Sequence, residues 1–415
     1  MNRPLNLWLV NQYAIRIDQP GITRHATLAK FMHDADVRTK IFASPTHYWN
    51  VPEKETEQTD PRAPSFHYIS TSAVETNGVR RVLSMVGFSA RVFVAGFRRP
   101  ADPTERPDVV EGSSPHPFAA LAAWGLAKRH RTPFVLEVRD LWPASLVELM
   151  GVSTRHPLIV TLRAIEKFLY RRADLVITLL PGSERHIEAV AGRPVPFLWI
   201  PNGIDLSRVG PFTPQSPHEG VTVMYAGAHG IPNALETMLE AAEMLQDKGR
   251  EDIRFVLIGD GKEKAKLRQW AQSHGLRHVE FRDPVSKHEL LATLPGADIL
   301  VITFRRTGLY KDGISPNKVF DYLSAGRPVI IAVDTPVNPV EAAGAGFTTE
   351  PEDPGALAGA IEKIAGMPLD ERNAMGERGR RYGEANHDLS RSAQRIAVAL
   401  RRLVGRDAGP IGGRD

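Results

Sequence analysis

Residues 313–331, GISPNKVFDYLSAGRPVII, bring a hydroxyl, an amide, a cation and an acid close together: Ser315, Asn317, Lys318 and Asp321. The stretch reads as a loop, a short helix and a buried strand. Ser315 is placed to cap the helix, and Pro316 suits its first turn. Gly326 suits the exit, Pro328 the stop, and residues 329–331 the strand. A helix start attracts anions, because its first amide N–H groups lack intrahelical partners. Lys318 and Asp321 are three residues apart and share a helix face. As a bare surface pair they are worth about 0.3 kcal/mol. The more specific chemistry puts Lys318 and the helix start at a diphosphate. Asp321, which offers only acceptors, then takes two neighbouring hydroxyls of a ribose. Three more loops are candidates: GAHG (227–230), GDG (259–261) and RDPV (282–285), the last containing Pro284. Gly227 and Gly230 let a backbone approach a phosphate closely, although a tight turn without a ligand needs the same residues.

Each of these four loops follows an apolar strand run, so all four are expected on one edge of a sheet. The elements behind them alternate. In the first half, strand patterns at 5–10, 37–43, 66–70, 107–113, 133–138, 174–180 and 195–205 are interleaved with helical ones. Those helices cover 22–33, 75–98, 117–130 and 156–173, and residues 44–65 read as a long polar loop. In the second half, strands at 221–227, 253–261, 279–281 and 297–304 alternate with helices at 232–248, 262–274 and 286–294. Further helices follow at 337–343, 354–366, 369–384 and 387–404. Repeated strand–helix units predict α/β architecture with parallel sheets covered on both faces. The expected organisation is two Rossmann-like domains facing across a cleft, 1–205 and 221–385, joined by a proline-rich linker at 206–220. A C-terminal helix at 386–405 packs back on the first domain, and 406–415 is a flexible tail. Ligands of such sheets bind at the carboxyl ends of the strands.

Composition narrows the chemistry. The 415 residues are 42% hydrophobic and 24% charged, as in soluble globular proteins. There is no cysteine, which excludes disulfides, thiolate nucleophiles and Cys–zinc sites. A net charge of +4 excludes a histone-like polyelectrolyte but permits local basic patches, and no nucleic acid is expected. The start of the chain lacks a signal-peptide pattern, and no run approaches the roughly 20 apolar residues of a membrane span. A cytoplasmic location is expected. The one D-x-D, Asp34 to Asp36, falls at the end of the first helix, away from the ligand edge, and the 14 histidines show no H-E-x-x-H spacing. No metal or other cofactor is expected.

One segment suggests a surface partner. Residues 79–99, VRRVLSMVGFSARVFVAGFRR, place Val82, Leu83, Val86, Phe93, Val94 and Phe97 among small residues. Arg80, Arg81, Arg91, Arg98 and Arg99 flank them. A basic amphipathic helix is a device for binding anionic lipid, although a domain helix with charged ends reads the same way.

SSPHPFAALAAWGLAKRHRTPFVLEVRDLWPASL (113–146), IPNGID (200–205) and SPNKVFDYLSAGRPVI (315–330) carry a family likeness. The chain resembles the GT-B glycosyltransferases of family 4 from about residue 5 to 405. Within them it is similar to the bacterial L-fucosaminyltransferases of O-antigen and capsule synthesis. The resemblance implies a donor site in the second half and an acceptor site in the first. Asp321 matches the second glutamate of the family's E-x7-E motif, which holds the donor ribose. The first glutamate falls at Gly313, so Asp312 or the main chain of 313–315 must contact the donor sugar instead. The Arg and Lys that many relatives carry after the first donor strand are absent, which leaves His229 and Lys318 for the diphosphate. Arg139 stands where relatives have a catalytic histidine and Asp140 matches the following aspartate. An arginine stays protonated and cannot act as a base, but it can hold an acceptor hydroxyl or a leaving phosphate. Gly21 matches a glycine of the first loop. His116 either lines the cleft or serves the helix entry, and Glu166 is an ordinary helix residue with a local partner.

The resemblance implies a transferase that retains anomeric configuration. It would move a sugar from a nucleotide donor, UDP favoured with GDP and dTDP open, to a lipid-linked or saccharide acceptor at the inner face of the cell membrane. A sugar-nucleotide 2-epimerase of the same architecture, or a non-catalytic nucleotide-sugar-binding subunit, is the alternative.

Overall fold

A strand buried at every position needs cover on both faces, and Leu5–Val10 (β1) is buried throughout, its one polar side chain, Asn6, donating to the Thr104 and Arg106 carbonyls. The computed structural model describes residues 3–19, 21–45, 60–71, 79–114 and 116–407. Around β1 lie Val37–Ala43 (β2), Ser65–Tyr68 (β3), Val109–Ser113 (β4), Phe134–Val138 (β5), Leu175–Thr178 (β6) and Phe197–Trp199 (β7). They form one seven-stranded sheet in the order β3-β2-β1-β4-β5-β6-β7, parallel at every pairing. The order reverses between β1 and β4, so the loops leaving these two strands diverge and open a crevice at the carboxyl edge. Its helices are Arg24–His33 (α1), Val79–Phe97 (α2), Pro117–His130 (α3), Ala144–Met150 (α4), Pro157–Arg172 (α5) and Ser183–Ala191 (α6).

The second sheet repeats the plan. Its strands are Val221–Ala226 (β8), Ile253–Ile258 (β9), Val279–Arg282 (β10), Ile299–Thr303 (β11), Val329–Ala332 (β12) and Gly346–Thr349 (β13). The order is β10-β9-β8-β11-β12-β13, again all parallel, with the reversal between β8 and β11. Leu235–Asp247 (α7), Lys264–Ser273 (α8), Lys287–Thr293 (α9), Asn317–Ala325 (α10), Pro339–Ala342 (α11), Pro354–Ala365 (α12) and Leu369–Asn386 (α13) cover it. The last helix, Leu389–Leu403 (α14), belongs to the first unit. Its Leu389, Ala393, Ile396 and Leu400 share a buried cluster with Leu5, Leu7 and Leu28. The compact units are therefore 1–201 with 389–415, and 202–388.

The expected linker at 206–220 is a strap on the second unit. Arg327 donates both terminal nitrogens to the Thr213 carbonyl at 3.1 Å, and Arg380 donates to Gly210 at 2.7 Å. Proline removes N–H groups and keeps the chain extended, so its carbonyls are left for side-chain donors. Three elements escape the pattern reading: α4, α6 and β13. β13 has the sequence GFTT, too short and polar to stand out, and α6 is nine residues long. Residues 46–59 of the expected long loop, 75–78 of the expected second helix and 408–415 of the tail lie outside the described residues. Among the described residues no helix is long and apolar enough to cross a membrane.

Candidate active site

In the second unit the site begins at the end of β8. Tyr322 of α10 accepts from the Ala226 N–H at 2.6 Å, tying the helix to the strand end. One turn earlier on the same helix, Lys318 reaches the same loop. Its ammonium donates to Tyr225 Oη at 2.9 Å and Asn233 Oδ1 at 2.6 Å. Both partners in turn donate to the Ala228 carbonyl at 2.8 Å. The ammonium also lies 4.6 Å from the centre of the Tyr225 ring. No carboxylate pairs with it among the described residues. Burial alone pushes its pKa down to about 7.

The loops beside it are zipped together. His229 N–H donates to the Asp260 carbonyl at 2.8 Å, and Gly227 N–H to Ile258 at 3.0 Å. A Cβ on Gly259, where φ is +142°, would come within 1.9 Å of the Gly227 oxygen. A Cβ on Gly261 would meet the His229 oxygen at 2.3 Å. These two glycines are the ones geometry requires. Gly227 is tight, its Cβ position 3.0 Å from the Tyr225 hydroxyl. Gly230 has φ −125° and room for a side chain, so its expected role in close approach is not sterically compelled.

Asp321 does not pair with Lys318 and is not an open surface acid. Its carboxylate, 14% exposed, receives Lys287 Nζ at 2.5 Å on each oxygen. Lys287 opens α9, whose Ser286–Glu289 capping box fixes where the helix starts. Exposed Pro284 lies in the loop just before it. Ser315 does not cap α10. Pro316 holds that position and Asn317 is the first helical residue. Ser315 Oγ instead accepts from Asn202 N–H at 2.8 Å, and its carbonyl from Asn202 Nδ2 at 2.5 Å. The backbone amide start of α10 is thus left without a side-chain cap. Asp312 leaves Oδ2 buried without a hydrogen-bond partner, beside Gly313 at φ +94°.

In the first unit the carboxyl edge of β5 carries Arg139 and Asp140. Arg139 N–H donates to Ser114 Oγ at 2.8 Å, its Nε is buried without a partner, and Asp140 is exposed. Gly21, at φ +125°, is exposed in the loop after β1. His116 is fully buried and serves the helix entry. Its Nδ1 accepts from Ala119 N–H at 3.3 Å, and its Nε2 lies 2.8 Å from Gln12 Oε1. Burial, with Arg81 nearby, pushes its pKa down to about 3, so the ring is neutral. Cleft lining by His116 is set aside on this geometry. Glu166 is buried and meets His186 at 3.3 Å. Asp34 follows the end of α1 and Asp36 precedes β2, at the amino edge. No three His, Asp or Glu side chains converge as a metal group among the described residues.

Sequence comparison gives the same division. Residues 21–203 match a family model described as a glycosyl transferase 4-like domain, and 220–366 match glycosyl transferases group 1. The chain belongs to the GT-B glycosyltransferases. Among its relatives, WcaI of Escherichia coli, named as a colanic acid biosynthesis glycosyl transferase, is 26% identical over 62% of this chain. The alignment spans 64% of that relative's length. WbjE of Pseudomonas aeruginosa, named as a glycosyltransferase, is 23% identical over 65% of this chain and 68% of its own. Sucrose-phosphate synthase of Thermosynechococcus elongatus superposes with a TM-score of 0.75 at 17% identity, over 97% of this chain and 100% of the other. HepE of Anabaena, solved with UDP and glucose, gives 0.66 at 16% identity, over 95% and 98%.

In this GT-B chain the polar centre of the first unit was missed by sequence reading. Glu137 of β5 accepts from Arg24 Nε at 3.0 Å and His25 Nε2 at 2.6 Å. Ser113 Oγ bonds the same carboxylate at 2.5 Å and accepts from Asn11 Nδ2 at 3.0 Å. Burial would raise the Glu137 carboxyl, but His25 and Arg24 outweigh it and hold it well below the usual range. Glu111 lies in the same cluster. Burial and the Glu137 charge push it up to about 8, so it is protonated at neutral pH. The signal was present in FVLEV, since a glutamate inside a buried parallel strand must have partners. Arg305 and Arg306, after β11, were also passed over. They pair with Glu236, Glu350 and Glu352.

Proposed function

We propose that the protein is a retaining glycosyltransferase that takes a sugar from a UDP-linked donor to a lipid-linked saccharide in surface polysaccharide synthesis. The observation that carries this reading is Lys318: a partly desolvated ammonium with no carboxylate partner among the described residues, one residue into a helix, at the carboxyl edge of the second sheet. An uncompensated cation beside free helix amides suits a diphosphate, both in the bound donor and as charge develops on the leaving group. UDP is favoured by the UDP-bound state of HepE, and a polysaccharide-building role by the naming of WcaI as a colanic acid biosynthesis glycosyl transferase.

In the reaction the acceptor hydroxyl oxygen forms a bond to the sugar's anomeric carbon on the face from which the diphosphate leaves. The bond from that carbon to the diphosphate oxygen breaks, and the hydroxyl proton passes to that oxygen. Lys318 and the α10 amides stabilise the departing charge. Asp321, oriented by Lys287, accepts from the ribose hydroxyls. Asp312 Oδ2 accepts from a donor-sugar hydroxyl, in place of the absent glutamate. Asp312→Asn should therefore raise KM for the UDP-sugar several-fold and leave UDP affinity unchanged; equal loss with both ligands would remove it from the sugar. Arg139 and Asp140 hold the acceptor.

The exposed face of α2 supplies membrane contact. Leu83, Val86, Val94 and Phe97 are 64%, 42%, 73% and 44% exposed. The test is transfer from radiolabelled UDP-sugars to lipid extracted from a deletion strain. Transfer to lipid is expected. Release of an altered sugar without acceptor would identify an epimerase, and donor binding without turnover a non-catalytic subunit.

A further inference from the structure

At the amino edge of the first sheet, Arg3, Arg99, Pro103, Arg106, Pro107 and His130 line a hollow of about 330 Å³. Its charge is unbalanced. Arg3 and Arg406 share one carboxylate, Asp108, at 2.6 and 3.2 Å. Arg106 donates its Nε to the Pro100 carbonyl at 3.2 Å and forms no ion pair among the described residues, although its charge adds to the Thr104 hydrogen bonds that hold the Asp102 carboxyl below its ordinary value. Arg99 likewise has no ion pair there, and its charge, after burial and together with Arg129, helps to hold the His130 ring neutral. Arginine forks match phosphate oxygens two at a time. A hollow of this size is at the small end of ligand sites, enough for a phosphate group and its ester.

The neighbouring surface says which phosphate. Phe97 stands two residues before Arg99, and Leu83, Val86, exposed Ala90, Val94 and Phe97 recur at three- and four-residue steps along α2. That spacing puts them on one helical face. A free phosphate has no use for such a stripe, whereas a phospholipid presents a phosphate and acyl chains together. We propose that the hollow binds the headgroup phosphate of an anionic glycerophospholipid while the stripe of α2 enters the acyl boundary. This adds a lipid distinct from the acceptor. It rests on the membrane part of the proposed function and not on the transfer reaction.

The test is sedimentation with phosphatidylglycerol or phosphatidylcholine vesicles at low salt, using the full chain. Wild type should bind phosphatidylglycerol, and Arg99→Gln with Arg106→Gln should weaken that binding by roughly tenfold or more. Arg155→Gln with Arg163→Gln, the same charge removed from exposed positions just before and within α5, should change it less than about twofold. UDP affinity, measured by calorimetry, reports folding and should be the same in all three. The proposal is overturned if the Arg99/Arg106 variant binds vesicles like wild type, or if the control pair causes an equal loss, which would mean diffuse charge. Saturation by inorganic phosphate without vesicle binding would also overturn it, by identifying a free-phosphate site. Vesicle binding that depends on Arg99 and Arg106 in a protein that binds no nucleotide would leave this proposal standing and sink the donor reading alone.

Discussion

Arg24 in the first unit reaches Glu137 at 3.0 Å and two carbonyls, those of Pro201 and Ile200, at 2.7 and 2.8 Å. Lys318 in the second unit hydrogen-bonds, among the described residues, only a phenol and an amide oxygen. Both cations approach the carboxyl edge of a parallel sheet from a helix that follows a strand. In one, charge, counter-charge and carbonyls close on each other, and the product is a rigid strand end. In the other, the cation is held in position by neutral groups and its charge is left for something outside the protein. The difference separates a structural cation from a ligand-binding one better than burial does, because it asks what has been left without compensation.

Glu137→Ala should break the comparison most severely. It leaves Arg24 buried with its principal counter-charge removed, and such losses cost about 3–5 kcal/mol. Thermal melting should show a large drop, with UDP affinity of the folded fraction unchanged; a small drop would mean that the cluster is not structural. On the other side, Asp321→Ala removes an acid that already has a cation. A charged hydrogen bond is worth about 1.5–3 kcal/mol, so UDP affinity should fall roughly tenfold or more. Lys287→Met should weaken UDP binding less, and Lys287→Arg should restore it. If Asp321→Ala leaves UDP affinity intact, the Lys287 pair is its whole role.

A third effect concerns pH. Glu111 binds its proton more tightly folded, at about 8, than its ordinary 4.5. The folded state therefore holds an extra proton between these values. That contribution is fully present below 4.5 and is lost as pH rises through about 8. Glu111→Gln should gain stability relative to wild type over this interval, read as a difference in melting temperature that widens with pH. Parallel curves would mean that Glu111 is not raised.

Strand periodicity made both sheets legible, because apolar runs such as LNLWLV and VTVMYA have one packing solution when helices separate them. SPNKVFDYLSAGRPVI gave α10 and β12 for the same reason. What it did not give was partnership. Lys318 and Asp321 lie three apart on one face, yet each is claimed from a distance, Lys318 by Tyr225 and Asn233, Asp321 by Lys287. Ser315 has the chemistry of a cap but is taken by Asn202, more than a hundred residues earlier. Glycines show the same limit. The GAHG pair was visible as a turn, but which glycines are indispensable depends on how closely GDG packs on it. Long-range contacts of this kind leave no periodicity in the chain.

The most direct test is calorimetry of UDP with wild type and Lys318→Ala at about pH 8, where the phosphates of UDP stay ionised. Lys318 has a pKa near 7 in the free protein, so a diphosphate must recharge it. Binding to wild type in buffers of different ionisation heat should show uptake of roughly one proton, and affinity should fall as pH rises through about 7. Lys318→Ala should lose at least about tenfold in affinity and all of the proton uptake, while its melting temperature stays close to wild type. Equal affinity and equal proton uptake in the two proteins would contradict the assignment of Lys318 to the donor diphosphate.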